Sequence, residues 1–580
     1  MAWASLFLMV IWASTTLPAS DSTHPPTPYR CNATGCTIHN AYGVWGDRKN
    51  CHAAIISYPK TEEEIRLAVA YANHNGLKVK VVTKFSHTIP KLACPSDRDL
   101  SMIISTELHS STVVVDAENL AVTADSGVAL RDLIDTVEAA GLSLVSAPYW
   151  EGVTAGGLIC TGSHGSSWWG RGGAVHDHVI GINLVVPANQ SQGYAKIIRL
   201  EGRDELLNAA KVSLGVLGVL SKVTFSVERA FKRSISYDFT DDGDIENEYI
   251  SHAKKNEFGD ITWYPSRQIA AYRYDNRVPI NATAGDGVFD FLGFQSQSIL
   301  LTKTIRATEK AFESARNIEG KCTMASTFVR SRELFANGLK NNDLLFTGYP
   351  VVGHQGKMQT SGSCLYSPSI APDSCAWDPT IKGLFFYETT AIFTASRFRD
   401  FILDVKKLRD ISPESFCNID IYNGFLVRFI KASDAYLGQP IDSVVIDFNY
   451  YRADDAKTPR LREDVVEEVE QMAFIKYGAR PHWAKNRKLA FFGVQKKYGN
   501  FSKFVDAKRR LDPQNMFSSE WSDEILYGRE GEKSDGCALE GLCVCSEDRH
   551  CSPDNGYFCS PGLVYLEARV CRYSPSSMHT

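Results

Sequence analysis

The chain has 580 residues, 44% of them hydrophobic and 22% charged, an ordinary globular make-up long enough to fill more than one core, so two or three domains are expected. A formal net charge of -5, a pI near 6.3 and no dense run of Lys and Arg leave no field to hold a polyanion, which argues against a nucleic-acid partner. Beyond the N-terminal apolar run, no stretch is apolar enough for a membrane span.

The chain opens with apolar residues Ser5 to Ala13, then small and polar ones through Ser20, and residues 1–20 read as a secretory signal peptide. No Lys or Arg precedes the apolar run, so an uncleaved anchor stays open as the alternative. After Pro25, Pro26 and Pro28, Cys31, Cys36 and Cys51 bracket a loop-rich start. Thr61 to Asn75 reads as a helix. Thr61 and Glu64 make a capping box, Ile65, Ala68, Val69 and Ala72 recur at helical spacing, and Gly76 stops it. Lys78 to Val82 alternates like a half-buried strand, and Met102 to Ser105, Val113 to Asp116 and Leu120 to Ala124 read as further strands. A second amphipathic helix runs from Leu130 to Ala140, closed by Gly141. Close-set strands with occasional helices give an α+β order, and the absence of a Gly-x-Gly-x-x-Gly fingerprint disfavours a Rossmann site.

Next comes Gly152-Val153-Thr154-Ala155-Gly156-Gly157, followed by Thr161-Gly162-Ser163-His164-Gly165. Glycines interleaved with hydroxyls let a backbone approach a ligand and offer amide and hydroxyl donors to a pyrophosphate. Past Ala230, aromatic-rich alternation at Ile261 to Tyr264, Gly383 to Tyr387 and Val444 to Tyr451 predicts a broad antiparallel sheet. Helices over Ala395 to Leu408 and Arg462 to Tyr477 are expected to cover one of its faces. Leu511 to Phe517 ends the main body.

Of fifteen cysteines, six crowd the tail, at Cys537, Cys543, Cys545, Cys551, Cys559 and Cys571, where three disulfides fit. Zinc is the weaker alternative, because Cys543 and Cys545 stand too close and His550 has no His partner. The odd total leaves at least one Cys unpaired or bridging to another molecule. Sequons at Asn32, Asn189, Asn281 and Asn500 agree with an oxidising, glycosylating route.

The Gly152 to Gly165 run, the later Ser213 to Val219 stretch with its strand Ser221 to Val227, and Asp512-Pro513 together resemble the FAD domain of the vanillyl-alcohol-oxidase superfamily. Arg480-Pro481-His482-Trp483-Ala484-Lys485, the Arg428 segment and the Cys-rich tail narrow the likeness to the plant gulonolactone oxidases among the aldonolactone oxidases. The resemblance implies a two-lobed FAD-binding domain over 21–232, an antiparallel-sheet substrate domain over 233–490, a return segment over 491–535 and a disulfide-rich tail over 536–580. It implies FAD as cofactor, held by Thr154, Gly156, Gly157, Thr161, Gly162, Ser163, His164, Gly165, Gly218 and Val219. His87 matches the residue that the family often bonds to the flavin. Thr83, Lys84, Phe85 and Ser86 replace the family's Gly-rich lead into it, with Thr88 following, so covalent and non-covalent attachment both stay open.

By the same resemblance Lys485 and Arg428 act on the substrate and His482 accepts a proton or shapes the pocket. Leu426 stands where the family has an acid. The implied reaction oxidises a sugar lactone, with oxygen or another acceptor taking the electrons, in a secreted protein. A flavin enzyme for another sugar or alditol, and an extracellular binding protein without cofactor, are the alternatives.

Overall fold

The structure, a computed structural model, describes residues 29–38, 51–83, 94–96, 100–149, 152–282, 297–335, 350–360, 373–374, 386–451, 453, 455–528 and 533–574. Residues 1–20, the expected signal peptide, lie outside the described residues, as do Lys84, Phe85, Ser86, His87 and Thr88.

The first lobe begins with β1 (Ile55–Ser57), α1 (Glu62–His74), β2 (Lys78–Val82) and β3 (Ser101–Ser105). Both β1 and β2 pair with β3 in parallel, giving a three-stranded sheet. Helix α1 starts where expected, the Thr61 hydroxyl accepting from Glu64 N at 3.1 Å, but the Glu64 carboxylate reaches back to Lys60 N at 2.7 Å, one residue earlier than a capping box requires. Its apolar stripe, Ile65, Val69 and Ala72, packs against Val79, Met102 and Ile104. Met516 and Phe517 join this cluster, and Val79 N donates to Met516 O at 2.8 Å, so the C-terminal segment returns to the first lobe.

A five-stranded antiparallel sheet follows, built from β4 (Val113–Asp116), β5 (Ala121–Asp125), β6 (Val179–Pro187), β7 (Ala195–Glu201) and β8 (Val219–Ser226) in the order β7-β6-β8-β5-β4. Helices α2 (Leu130–Ala139) and α3 (Ala155–Cys160) pack on it.

The second lobe is an eight-stranded antiparallel sheet of β9 (Lys232–Asp241), β10 (Asp260–Tyr264), β11 (Ile269–Val278), β12 (Val351–His354), β13 (Phe386–Thr394), β14 (Phe425–Ile430), β15 (Ser443–Tyr451) and β16 (Arg480–Pro481), in the order β12-β9-β11-β10-β14-β15-β13-β16. Side chains alternate between its faces. Val427, Phe429, Val444, Ile446, Phe448 and Phe393 share a core with Phe398, Phe401 and Val405 of helix α4 (Ala395–Ile411). On the opposite face Ile392, Ile430 and Val445 pack on Ala174 of the first lobe. The polar residues between those three therefore point into the seam between lobes.

The other expected covering helix appears as α5 (Glu463–Gln471), continued by one π-helical turn over Met472–Lys476. The tail is a hairpin of β17 (Tyr557–Pro561) and β18 (Arg569–Tyr573), stapled by Cys537–Cys543, Cys545–Cys559 and Cys551–Cys571. Two further disulfides join Cys31 to Cys36 and Cys322 to Cys417, and Cys160 carries a free thiol. No helix among the described residues is long and apolar enough to cross a membrane.

Candidate functional site

The seam-facing side of the second sheet carries the charged groups. On β14 and β15 the register sets Leu426 opposite Asp447 and Arg428 opposite Val445, so Arg428 and Asp447 are diagonal neighbours on one face. Both Arg428 Nε, at 3.0 Å, and Nη2 donate to Asp447 Oδ2. Asp447 Oδ1 accepts from the Thr390 hydroxyl on β13 and from Lys485 Nζ at 3.2 Å. Lys485 Nζ also pairs with Glu388 Oε1 on β13 at 2.7 Å. Burial alone would raise the Asp447 carboxyl, but the Arg428 and Lys485 cations override it and hold the group well below the usual carboxylate range. Arg428 is 5% exposed; burial opposes its charge, yet Asp447 raises it above its ordinary value.

Leu426, standing where the family has an acid, offers a substrate hydroxyl no acceptor. The structure places carboxylates instead one and two strands away, Asp447 on β15 and Glu388 on β13. Asp447 and Glu388 escaped the sequence reading because alternation marks the face of a strand without its partner across the sheet.

Lys485 is delivered by the loop after β16. His482 N donates to Thr390 O at 3.3 Å, Trp483 Nε1 donates to Leu437 O at 3.0 Å, and the Trp483 ring packs against Phe491 and Tyr498. Asn486, at a φ of 83°, acts as a side-chain substitute for a further strand pair, its Oδ1 accepting from Thr390 N at 2.7 Å and its Nδ2 donating to Thr390 O at 3.2 Å.

Facing this array is the Gly-rich run. Arg428 Nη1 donates to His164 O at 3.3 Å, and the His164 and His482 rings lie 5.3 Å apart. The ring nitrogens are in opposite states. His164 Nδ1 donates to Gly165 O at 2.8 Å, which leaves Nε2 as a bare, buried acceptor without a hydrogen-bond partner. His482 Nδ1 accepts from Ala484 N at 3.1 Å, so its proton sits on Nε2. Burial, reinforced by Arg428 and His482 for His164 and by Lys485 for His482, holds both imidazoles well below the ordinary histidine range.

The expectation that the amides of Thr154 to Gly165 are open to a pyrophosphate does not hold for most of them. Ala155 N donates to Val128 O, Gly156 N to Ser126 O, Gly162 N to Ile159 O, Ser163 N to Leu158 O and Gly165 N to Gly173 O. What the run offers is side chains and close approach. The Thr83, Thr106 and Thr154 hydroxyls converge, at 2.8 and 3.2 Å, where α3 begins. Beside them Ser126 Oγ is buried without a partner. The unpartnered Ser126 Oγ and His164 Nε2, with the hydroxyls beside Ser126, are polar groups of the kind that could hold a flavin dinucleotide.

Thr161, Gly162, Ala174, Gly438, His482 and Trp483 help line one small hollow beside the run, and Ala147, Tyr149, Gly165, Ser166 and Arg233 help line another. Gly218 and Val219 have a packing role. A Cβ at Gly218 would stand 2.6 Å from Val185 O, and Val219 is buried in the α1 cluster.

Residues 53–190 match the FAD binding domain family, residues 406–525 the D-arabinono-1,4-lactone oxidase family, and residues 534–573 the L-gulonolactone oxidase 2-like, C-terminal domain. The chain is 65% identical to L-gulonolactone oxidase 3 of Arabidopsis thaliana, over 99% of this chain and 97% of that protein. It is 47% identical to L-gulonolactone oxidase 2 of the same plant, over 96% and 95%, and 23% identical to L-gulonolactone oxidase of Bos taurus, over 84% and 100%. Among solved structures, a solvent-stable cholesterol oxidase superposes with a TM-score of 0.64 at 14% identity, covering 87% of this chain and 100% of that one.

Proposed function

The chain belongs to the L-gulonolactone oxidase family and is an FAD-dependent oxidoreductase; on that premise we propose that it oxidises L-gulono-1,4-lactone, or a related aldonolactone, to the 2-keto-lactone that gives L-ascorbate. The observation that carries the reading is the seam itself, where Arg428 and Asp447 of the second sheet and Lys485 from the loop after β16 face His164 and the Gly-rich run of the FAD-binding domain. Thr83, Thr154, Thr161, Ser163 and Ser126 would supply hydroxyls to hold the cofactor. FAD bound there would supply the two-electron oxidant, with oxygen as the final acceptor and hydrogen peroxide as the by-product.

Arg428 and Lys485 grip the lactone oxygens as cations whose positions are fixed by Asp447, itself filled by three donor groups and so a positioning residue. His164 Nε2 takes the proton of the reacting hydroxyl, because it is the nitrogen with a free lone pair, while His482 Nε2 donates. A weakly basic imidazole suffices, since that hydroxyl becomes strongly acidic as the hydride leaves its carbon. Of the two roles the sequence left open for His482, proton acceptor and pocket wall, the first thus falls to His164.

The exposed sequons at Asn32, Asn189, Asn281 and Asn500 and the tail disulfides support passage through the secretory route. A turnover screen over aldonolactones, alditols and aldoses, reading hydrogen peroxide, tests the substrate. Turnover of aldonolactones above the other classes is expected, and no turnover of any aldonolactone removes the proposal.

A further inference from the structure

We propose that the Cys-rich tail is a positioning module for the active-site cation, acting through Arg487; this rests on the role given to Lys485. Two residues beyond Lys485, Arg487 is buried and donates through Nη2 to Glu470 of α5, with Glu467 of α5 at 3.6 Å from Nη1. Glu470 also accepts from the Thr389 hydroxyl on β13, which ties α5 to the strand carrying Glu388 and Thr390. The exposed side of Arg487 is closed by the tail. Gly541, at a φ of +65°, lies against the middle of the Arg487 side chain, where a Cβ would stand 2.6 Å from both Cδ and Nε. Gly541 O accepts from Leu489 N at 3.0 Å. The Cys537–Cys543 disulfide closes the short loop that presents Gly541.

The tail is in turn latched to α5 by buried polar contacts. Glu468 accepts from three successive tail amides, Leu563 N at 2.6 Å, Val564 N at 2.7 Å and Tyr565 N at 2.9 Å. Gln471 pairs with both Arg569 N and O at 2.9 and 2.8 Å, and Arg572 Nε donates to Asp464 at 2.8 Å. Tail, α5 and the Lys485 loop thus form one connected block. A stapled segment too short to hold a large core of its own gains fixed geometry from α5 and transmits it to Arg487. Misplacing a catalytic group by a fraction of an ångström to an ångström lowers turnover without touching the cofactor.

The test compares Gly541→Ala and the Cys537→Ser/Cys543→Ser pair with the parent holoenzyme, alongside Lys485→Ala. Both tail variants are expected to keep FAD content while kcat for the lactone falls about tenfold or more with KM little changed. They are also expected to raise the acid limb of kcat toward neutrality, as His482 loses the field of Lys485. FAD-loaded tail variants with parental kcat and pH profile overturn the proposal. Should Lys485→Ala retain full activity, the role of Lys485 fails instead, and amide exchange decides the mechanical link. On adding dithiothreitol to the parent protein, the Leu489 and Asn486 amides should accelerate together with that of Leu542. If they stay protected while Leu542 exchanges, the tail does not position the loop, and this readout holds even where neither tail variant accumulates as folded protein.

Discussion

Asp447 is the residue on which the charge balance of the site turns. Removing its charge strands a buried guanidinium, so Asp447→Asn is expected to cost about 3 to 5 kcal/mol of stability and to cut kcat/KM at least about a hundredfold, measurable by denaturant unfolding and initial rates. Because Leu426 faces Asp447 across β14 and β15, Leu426→Glu alone sets a second carboxylate beside the first and should lower activity. Combined with Asp447→Leu, it should regain part of the loss, and a double variant no better than Asp447→Leu would show that the acid cannot be moved between strands. A second expectation concerns protons. His164 and His482 are held well below the ordinary histidine range, so both stay neutral through neutrality and kcat should be flat from about pH 6 to about pH 8, falling only in stronger acid. An acid limb centred near 6.5 that His164→Asn abolishes would contradict the depressed value. Arg428, Lys485 and His482 were legible in the sequence through their resemblance to a family pattern. Asp447 and Glu388 were not, since a strand's alternation is silent on register, and the division of labour between His164 and His482 depends on the backbone atoms each ring nitrogen meets.

Elements with strong local signals matched their sequence reading closely. Helix α1 has its cap, stripe and stop within a few residues of one another, and β2 and β4 run over the residues expected. Thr61→Ala should cost about 1 kcal/mol, because one helix-end amide then loses its acceptor; an unchanged unfolding midpoint would mean that the Glu64 contact to Lys60 carries the whole start of the helix. The Gly-rich run was read correctly as special and incorrectly as a row of free amides. Gly156 approaches Ser126 and Gly165 approaches Ala147 O closely enough that a Cβ would stand 3.0 and 2.8 Å away, so these glycines serve the packing of the run against neighbouring backbone. That packing depends on partner residues that no local pattern points to. The π-helical turn ending α5 was likewise invisible, because apolar spacing does not distinguish a single wide turn from its α-helical neighbours.

At the scale of the molecule, two lobes close on a seam, the C-terminal segment stitches back to α1, and the tail buttresses α5 from outside. The α+β class and the antiparallel sheet were legible from alternation; the way one face of that sheet meets helices and the other meets the first lobe follows only from three-dimensional packing. The buried titratable groups oppose one another. His164, His176, His178, His252 and His482 are depressed by burial, His252 to about 4, so the unfolded chain takes up protons below about pH 6.5 that the folded one refuses, and stability falls with acid. Asp420 and Glu463 are raised by burial to about 7, and Glu467 and Asp260 are raised as well, so stability falls with rising pH through the same window. Near cancellation is expected, with a Tm that changes little between about pH 5 and about pH 6.5; a steep slope of either sign would show that one set dominates. Peptide mapping of protein from a secreting host should find glycans at Asn32, Asn189, Asn281 and Asn500, whereas unmodified protein retaining its leader would contradict the secretory route. The central claim is that flavin lies in the seam opposite Arg428 and Lys485, and anaerobic titration of the purified protein with L-gulono-1,4-lactone tests it most directly. The account predicts a yellow protein whose flavin absorbance bleaches on adding the lactone, and a yellow Lys485→Ala variant that bleaches far more slowly. A colourless folded protein, or a yellow one that no aldonolactone bleaches, would contradict it.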